Sequence, residues 1–200
     1  MRAGILGGTF DPVHIGHLVL AEQARMSLSL DCVLFVPTGD PWRKGRRVLT
    51  PGTERLNMLR LAIAGNEAFG ISDIELRRPG PTYTADTLEA LAAERLDDEF
   101  WFIIGSDALA DLPNWHEPER IVRHATLAVA PRDESSPLTL ALPGIEARIE
   151  RVPMPRIDVA STDIRARIAA GRSIRYLLPD AVREHVERYG LYRETIPAQA

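Results

Sequence analysis

The chain has 200 residues, enough for one sizeable domain with a substantial buried core. Hydrophobic residues make up 45% of it and charged residues 26%, proportions that exclude an intrinsically disordered or collagen-like protein. The 24 basic and 28 acidic residues give a net charge of −4, which argues against broad electrostatic binding to nucleic acid. A local basic pocket is still compatible with this charge balance.

Cys32 is the only cysteine, so no intrachain disulfide can form, which fits a reducing compartment. It heads an apolar run, where a small core residue is more common than a reactive thiol. The first residues contain one arginine and then glycines and histidines, unlike a signal peptide. No apolar run approaches the ~18 residues that a membrane-spanning helix needs. We expect a cytoplasmic protein without a membrane partner, and the sequence is compatible with a homo-oligomer.

Apolar strands alternate with amphipathic helices along the chain. Residues 3–6 and 32–36 are continuous apolar runs typical of buried strands, and a helical pattern lies between them. Strand, helix and strand at this spacing predict a parallel crossover unit. Later strands are predicted at 69–76 (one or two short ones), 100–104, 127–130 and 145–152, and later helices at 53–64, 84–96, 119–124, 161–168 and 180–189.

This succession predicts the α/β class, with a doubly wound parallel sheet and helices on both of its faces. The weak alternation of 145–152 suits a strand at the sheet edge. We find no internal repeat or linker, so residues 1–192 are predicted to form a single domain and 193–200 a loose tail. Ligands of such sheets bind outside the carboxyl ends of the strands.

The loop between the first strand and the first helix contains Gly7, Gly8, His14 and His17. Glycines let backbone N–H groups approach a ligand closely, and a helix start adds unpaired donors and partial positive charge, which together suit an anion. The two histidines stand three apart, so both rings would leave the first helical turn toward that anion. A glycine turn with two surface or capping histidines is the purely structural alternative. The glycine-rich patterns G-x-G-x-x-G and G-x-x-x-x-G-K-[ST] do not occur in the chain.

The string Gly-Gly-Thr-Phe-Asp-Pro-Val-His-Ile-Gly-His, residues 7–17, resembles the signature of the nucleotidyltransferase superfamily. More narrowly, it is similar to the nicotinate-nucleotide adenylyltransferases, which join nicotinate mononucleotide to ATP. The resemblance implies a Rossmann-like nucleotidyltransferase fold. It also implies that this loop binds ATP, through residues Gly7, Gly8, Thr9, Phe10, His14 and His17.

Residues 37–47 form a loop with four basic residues within five positions. Such a loop after a strand lies near the ligand crevice of a parallel sheet, although charge runs are often only solvated. The resembled family has Pro-Pro-His-Lys here. Lys44 matches that lysine, which implies a place near the reacting phosphate and the nicotinate nucleotide. Trp42 and Arg43 replace the second proline and the histidine.

Two stretches point to the pyridine ring. Thr82 or Thr84 suits a helix N-cap, and the family's similar Tyr-Thr-x-x-Thr-Leu string begins the helix that faces the nicotinate. The free N–H groups of a helix start suit a ring carboxylate. Trp115 can stack on a flat ring or pack in the core, and the family places a tryptophan beside the pyridine here. The resemblance therefore assigns nicotinate nucleotide binding to Thr9, Lys44, Tyr83, Thr84 and Trp115.

The central strand 100–104 ends in Gly105, with Asp107 two residues later. A carboxylate at this end of a strand suits a ribose diol, although a helix cap explains the fragment equally well. The family has a closely similar Gly-x-Asp, which implies that Gly105 and Asp107 contact the adenosine part of ATP. The ligand role of 131–143 stays open, because the family's Arg-Pro-Gly is absent there.

A second helix start combines Ser161, Thr162 and Arg165, whose hydroxyls, N–H groups and guanidinium suit a polyphosphate. An amphipathic capped helix with an incidental arginine is the alternative. The family carries Ile-Ser-Ser-Thr-x-Ile-Arg here, and Ala160 stands where its first serine usually lies. We expect this helix start and the early histidine loop to close around the same triphosphate.

The resemblance implies adenylyl transfer from ATP to nicotinate mononucleotide, a step of NAD biosynthesis. Its catalytic residues would be His14, His17, Lys44 and Arg165. Mg²⁺ carried by ATP is expected from the family, without dedicated protein ligands. Alternatives are an adenylyltransferase for nicotinamide mononucleotide or pantetheine phosphate, and a nucleotide-binding module without turnover. His-Ile-Gly-His also occurs in class I aminoacyl-tRNA synthetases, but the lysine-rich second motif and tRNA-binding domain of those enzymes are missing.

Overall fold

The computed structural model describes residues 1–41, 50–131, 138–140, 142, 144 and 146–193. Its centre is a six-stranded parallel sheet, beside which a separate short pair of strands lies. The six strands are β1 (Arg2–Gly8), β2 (Cys32–Pro37), β4 (Phe69–Ile71), β6 (Glu99–Gly105), β7 (Ala125–Ala130) and β8 (Ile149–Arg151). The short pair is β3 (Asp40–Pro41) and β5 (Pro81–Thr82).

Helices pack on both faces of the central sheet. They are α1 (Ile15–Ser27), α2 (Gly52–Ile63), α3 (Ile74–Arg77), α4 (Thr84–Glu94), α5 (Ser106–Asp111), α6 (Pro118–His124), α7 (Ser161–Ala169) and α8 (Asp180–Arg188). Buried residues of α1, α2, α7 and α8 share one core, and those of α3 to α6 share the other. Successive strand residues alternate between the two cores, as Ile103 and Ile104 do in β6. Because both strand faces are buried, the strands read as continuous apolar runs.

The strand order is β4-β2-β1-β6-β7-β8. The chain therefore moves outward from β1 in one direction, returns to the centre and moves outward in the other, which confirms the predicted doubly wound sheet. The order reverses between β1 and β6, and the ligand crevice of such sheets lies at this switch point. Gly7 and Gly8 end β1, and Gly105 ends its neighbour β6, so the two glycine-containing motifs meet at one edge.

Three local predictions differ from the structure. Of residues 69–76, only Phe69–Ile71 is a strand, because Ile74 and Glu75 turn into the core as part of α3. The last strand is shorter than predicted, although it does lie at the sheet edge. Helix α4 begins after Tyr83 rather than after Thr82 or Thr84, the two residues expected as its cap. Within the ranges above, no helix is long and apolar enough to cross a bilayer.

Candidate active site

The β1–α1 loop, residues 9–14, is built around the buried ring of Phe10. This residue has a left-handed φ of +48°, and its ring is 1% exposed. The ring packs edge-on to His17, with the centroids 5.0 Å apart, and a Cβ on Gly8 would stand 3.0 Å from it. Gly8 therefore makes room for the ring. Of the loop residues expected to bind ATP, Phe10 can contribute only its backbone.

His14 and His17 stack at the start of α1, with ring centroids 3.7 Å apart and an interplanar angle of 28°. His17 Nδ1 accepts a hydrogen bond from the backbone N–H of His14 at 3.2 Å. A neutral His17 therefore carries its proton on Nε2. A Cβ on Gly16 would come within 3.1 Å of the His14 ring, so this glycine lets the stack form.

The His14 ring is buried, and Nδ1 has no hydrogen-bond partner among the described residues. Burial lowers the pKa of His14 from its ordinary value near 6.5 to about 4, because the charged ring would lose its hydration. The His14 imidazole is thus neutral at pH 7 and can act as a hydrogen-bond donor. A buried ring nitrogen without a partner in the protein suits a ligand oxygen.

The start of α7 closes on the same loop. Ser161 Oγ donates to the carbonyl of Pro12 at 2.9 Å, and Arg165 Nη1 donates to the carbonyl of Asp11 at 2.5 Å. The other terminal nitrogen of Arg165 lies 3.1 Å from Thr162 Oγ1. The structure therefore brings the early histidine motif and the late serine–arginine motif together, as expected. In this arrangement, both side chains of α7 hold the loop from outside.

Two further side chains behind the loop were not found from the sequence. Arg55 of α2 is 2% exposed and donates through Nη1 to the carbonyl of Thr9 and through Nε to that of Thr50, each at 2.9 Å. Tyr192 donates its hydroxyl to Asp11 Oδ1 at 2.7 Å. A signal for Arg55 exists, because it stands three and four residues before the buried Met58 and Leu59, on the apolar face of α2. Tyr192 has no comparable local signal.

The stretch expected at the pyridine ring lies at the same sheet edge. Strand β3 follows β2 and pairs with β5, so Tyr83 and Thr84 begin α4 beside the carboxyl ends of the strands. The Tyr83 ring lies 4.1 Å from that of His116, a contact that the sequence did not indicate. Trp115 is half-buried, meets Phe102 edge-on at 6.1 Å and donates from Nε1 to Asp111 at 3.1 Å. Part of the Trp115 side chain therefore packs against the protein core.

A cleft of about 570 Å³ lies at the carboxyl ends of β6 and β7 and extends to the segment that leads into α7. Its wall includes Gly105, Ala130 and residues 154–160. This volume is in the range of small-molecule sites. Gly105 is the N-cap of α5, and Asp107 is exposed in the first turn of that helix. Both residues expected to contact adenosine thus stand at this cleft or next to it.

Lys44 lies outside the described residues, as do Trp42 and Arg43, so its predicted place near the reacting phosphate stays a prediction. The same holds for most of the 131–143 segment and for residues 194–200. In the part of the chain that the structure describes, no three His, Cys, Asp or Glu side chains group in a way that could hold a metal ion.

Comparison with known proteins places the chain in a family. The profile described as cytidylyltransferase-like matches residues 5–167. A probable nicotinate-nucleotide adenylyltransferase of Thermomicrobium roseum is 48% identical over 196 residues, covering 96% of this chain and 92% of that protein. This chain belongs to the nicotinate-nucleotide adenylyltransferase family. A relative of the same printed name from Roseiflexus sp. is 46% identical, covering 95% of this chain and 97% of its own.

Solved structures agree with this adenylyltransferase assignment at the level of the fold. The nicotinic acid mononucleotide adenylyltransferase of Plasmodium falciparum, complexed with NaAD, superposes with a TM-score of 0.76 at 20% identity. That alignment covers 96% of this chain and 97% of the Plasmodium chain. The same protein complexed with APC gives a TM-score of 0.75 at 19% identity. The predicted Rossmann-like nucleotidyltransferase fold is thus confirmed.

Proposed function

We propose that this chain transfers the adenylyl group of ATP to nicotinate mononucleotide, giving nicotinate adenine dinucleotide and pyrophosphate in NAD biosynthesis. The family membership supports this reaction. The observation that carries it in this chain is the convergence of α1 and α7. Ser161 and Arg165 donate to the β1–α1 loop that positions the stacked His14 and His17. Two helix starts with hydroxyl, imidazole and guanidinium donors at one crevice suit a triphosphate.

The reaction is an in-line displacement at the α-phosphorus of ATP. A phosphate oxygen of nicotinate mononucleotide forms the new P–O bond, the bond between the α-phosphorus and the bridging oxygen breaks, and its electron pair leaves with pyrophosphate. The nucleophile is largely ionised at neutral pH, since the second pKa of a phosphomonoester is ~6. No general base is needed. The protein contributes alignment and hydrogen bonds to the charge that develops in the transition state.

Each part of the site has a role in this proposal. His14 and His17 donate hydrogen bonds to the α- and β-phosphates, and Lys44 is assigned to the reacting phosphate. Arg165 keeps N–H groups for the β- and γ-phosphates beyond the two that bond to the Asp11 carbonyl and to Thr162 Oγ1, because a guanidinium has five. Ser161 and Thr162 stand beside it at the same helix start.

The adenosine of ATP and the nicotinate ribonucleoside bind on opposite sides of the switch point between β1 and β6. Gly105 and Asp107 contact the adenosine ribose, next to the cleft between β6 and α7. The N–H groups at the start of α4, after Tyr83, receive the ring carboxylate, and Trp115 borders the pyridine. The carboxylate suits a helix N-terminus better than a neutral amide does, since the dipole favours negative charge.

Mg²⁺ enters this proposal with ATP. The described residues group no carboxylates into a cation cage, and Asp11 is already bonded to Tyr192. Phosphate oxygens of the nucleotide, which are hard oxygen ligands, are therefore the ligands in this proposal. The ion would neutralise charge on the triphosphate.

The test is dinucleotide formation by the purified protein with ATP and Mg²⁺. Nicotinate mononucleotide should give product and stoichiometric pyrophosphate, and nicotinamide mononucleotide and pantetheine phosphate should give much less. CTP in place of ATP, or EDTA in place of Mg²⁺, should abolish product formation. ATP binding without pyrophosphate release under any of these conditions would instead indicate a nucleotide-binding module.

A further inference from the structure

Three side chains from outside the β1–α1 loop hold three of its backbone carbonyls. Arg55 holds that of Thr9, Arg165 that of Asp11 and Ser161 that of Pro12. Arg165 and Ser161 belong to the motif already assigned to ATP. Arg55 does not belong to that motif, and it reaches the loop from a different helix, α2.

Arg55 donates hydrogen bonds to two different segments of the chain. One guanidinium nitrogen reaches the loop at Thr9, and another reaches Thr50, the residue that precedes the α2 N-cap by one position. Asp11 supplies a nearby negative charge, and Tyr192 fixes the Asp11 carboxylate by its hydroxyl. The side chain thus ties the β1–α1 loop to the segment entering α2.

Packing alone does not require a cation here. Burying a guanidinium costs free energy, which hydrogen bonds and a countercharge only partly return, and an apolar side chain of similar volume would fill the space without that cost. Hydrogen bonds differ from apolar contacts in being directional. The distinct contribution of Arg55 is therefore the direction in which it fixes the Thr9 carbonyl.

We propose that Arg55 is a positioning residue for adenylyl transfer, which fixes the orientation of the Thr9–Phe10 peptide in the β1–α1 loop. This peptide is trans, so its N–H points opposite to the carbonyl that Arg55 holds. Arg55 thereby aims the Phe10 N–H at the side of the loop away from α2. The inference rests on the proposed function, because it assigns this N–H to the bound nucleotide.

The experiment compares Arg55→Met and Arg55→Lys with the parent enzyme in the dinucleotide assay. Arg55→Met should lower kcat by about 100-fold, the scale of a misplaced donor at a reacting phosphorus, at temperatures where the variant is fully folded. Arg55→Lys keeps the charge and can reach one carbonyl, so it should recover at least about tenfold of that loss. KM for nicotinate mononucleotide should change much less than kcat, because uniform substrate binding is unaffected.

Arg183→Met is the matched control. Arg183 is also buried, at 9% exposure, but its partners Asp180, Glu184 and Glu187 all belong to α8. The control should lower the thermal midpoint and leave kcat within about twofold of the parent, since the three hydrogen bonds that it removes all lie within α8. Tyr192→Phe, which removes only the hydroxyl bonded to Asp11, serves as a second variant if Arg55→Met does not fold, and it should lower kcat by about tenfold.

The outcomes separate the two proposals. A parent protein that makes no dinucleotide contradicts the proposed function, whatever the variants do. If the parent is active and folded Arg55→Met keeps the parent kcat, or Arg55→Lys shows no recovery over Arg55→Met, the positioning role is wrong. If Arg183→Met lost as much activity as Arg55→Met, the positioning role would also be wrong, because Arg55 would then act only through the stability of the fold.

Discussion

At the level of single residues, the two stacked imidazoles are held differently. His17 is fixed by the hydrogen bond from the His14 N–H to its Nδ1, which leaves Nε2 as the protonated nitrogen. His17→Ala should lower kcat by at least about 100-fold, the loss found when one transition-state donor is removed. The variant should remain folded by circular dichroism. Parental turnover by folded His17→Ala would contradict the assigned role.

His14 gives the site a predictable response to pH. Its pKa is about 4 in the folded chain and near 6.5 when unfolded, so the unfolded state binds more protons between these values. Stability is therefore fully present above about pH 6.5 and is lost as the pH falls toward 4. From pH 7 to pH 5, this loss amounts to about 2 kcal/mol.

Urea titrations of the parent and of His14→Gln at both pH values measure this contribution. Other titrating groups are shared and cancel in the difference, so the variant should lose about 2 kcal/mol less than the parent between pH 7 and pH 5. Equal losses in the two proteins would mean that His14 is hydrated enough to protonate in the folded state.

Single residues also mark the limit of what local sequence can predict. The glycines and histidines of the β1–α1 loop were predicted because they lie in one short string. Arg55 and Tyr192 were missed because their partners Thr9 and Asp11 are 46 and 181 positions away. A polar side chain that acts through distant backbone has no motif of its own, and only the folded chain identifies it.

At the level of elements, α7 holds the β1–α1 loop by hydrogen bonds, in addition to offering its N–H groups to ATP. Ser161→Ala removes its donor to the Pro12 carbonyl and should lower kcat/KM for ATP by about fivefold, since a hydrogen bond of this kind contributes about 1 kcal/mol. Ser27→Ala is the control, because its hydroxyl bonds only within α1, to Gln23. A loss of the same size in the control would show that the hydrogen bond from Ser161 to the loop is not the cause.

Element prediction succeeded where both sides of a strand are buried. The runs at 32–36 and 100–104 are apolar throughout because they lie between two helical layers, and this pattern has few alternatives. Residues 69–76 were predicted as one or two short strands, and only Phe69–Ile71 is a strand. There, the Thr87 hydroxyl donates a hydrogen bond to the Glu75 carboxylate at 2.9 Å, which ties α3 to α4. Such a tertiary hydrogen bond overrides local propensity.

At the level of the whole molecule, the C-terminal region completes the site. Helix α8 packs in the same core as α1, α2 and α7, and Tyr192 extends from it to Asp11. A chain truncated after Gly190 should lose at least about tenfold in kcat, because the Asp11 carboxylate loses its partner. A chain truncated after Arg193 keeps Tyr192 and should retain the parent kcat. Equal activity of the two truncations in the dinucleotide assay would show that this contact is dispensable.

The tie between Tyr192 and Asp11 also bears on protein synthesis. The β1–α1 loop is synthesised well before the groups that hold it, since Ser161 follows Pro12 by 149 positions and Tyr192 follows Asp11 by 181. A nascent chain can therefore form most of the parallel sheet before its nucleotide site is complete. Fragments that end before α7 lack the donors of Ser161 and Arg165, so they should turn over ATP far more slowly than the full chain.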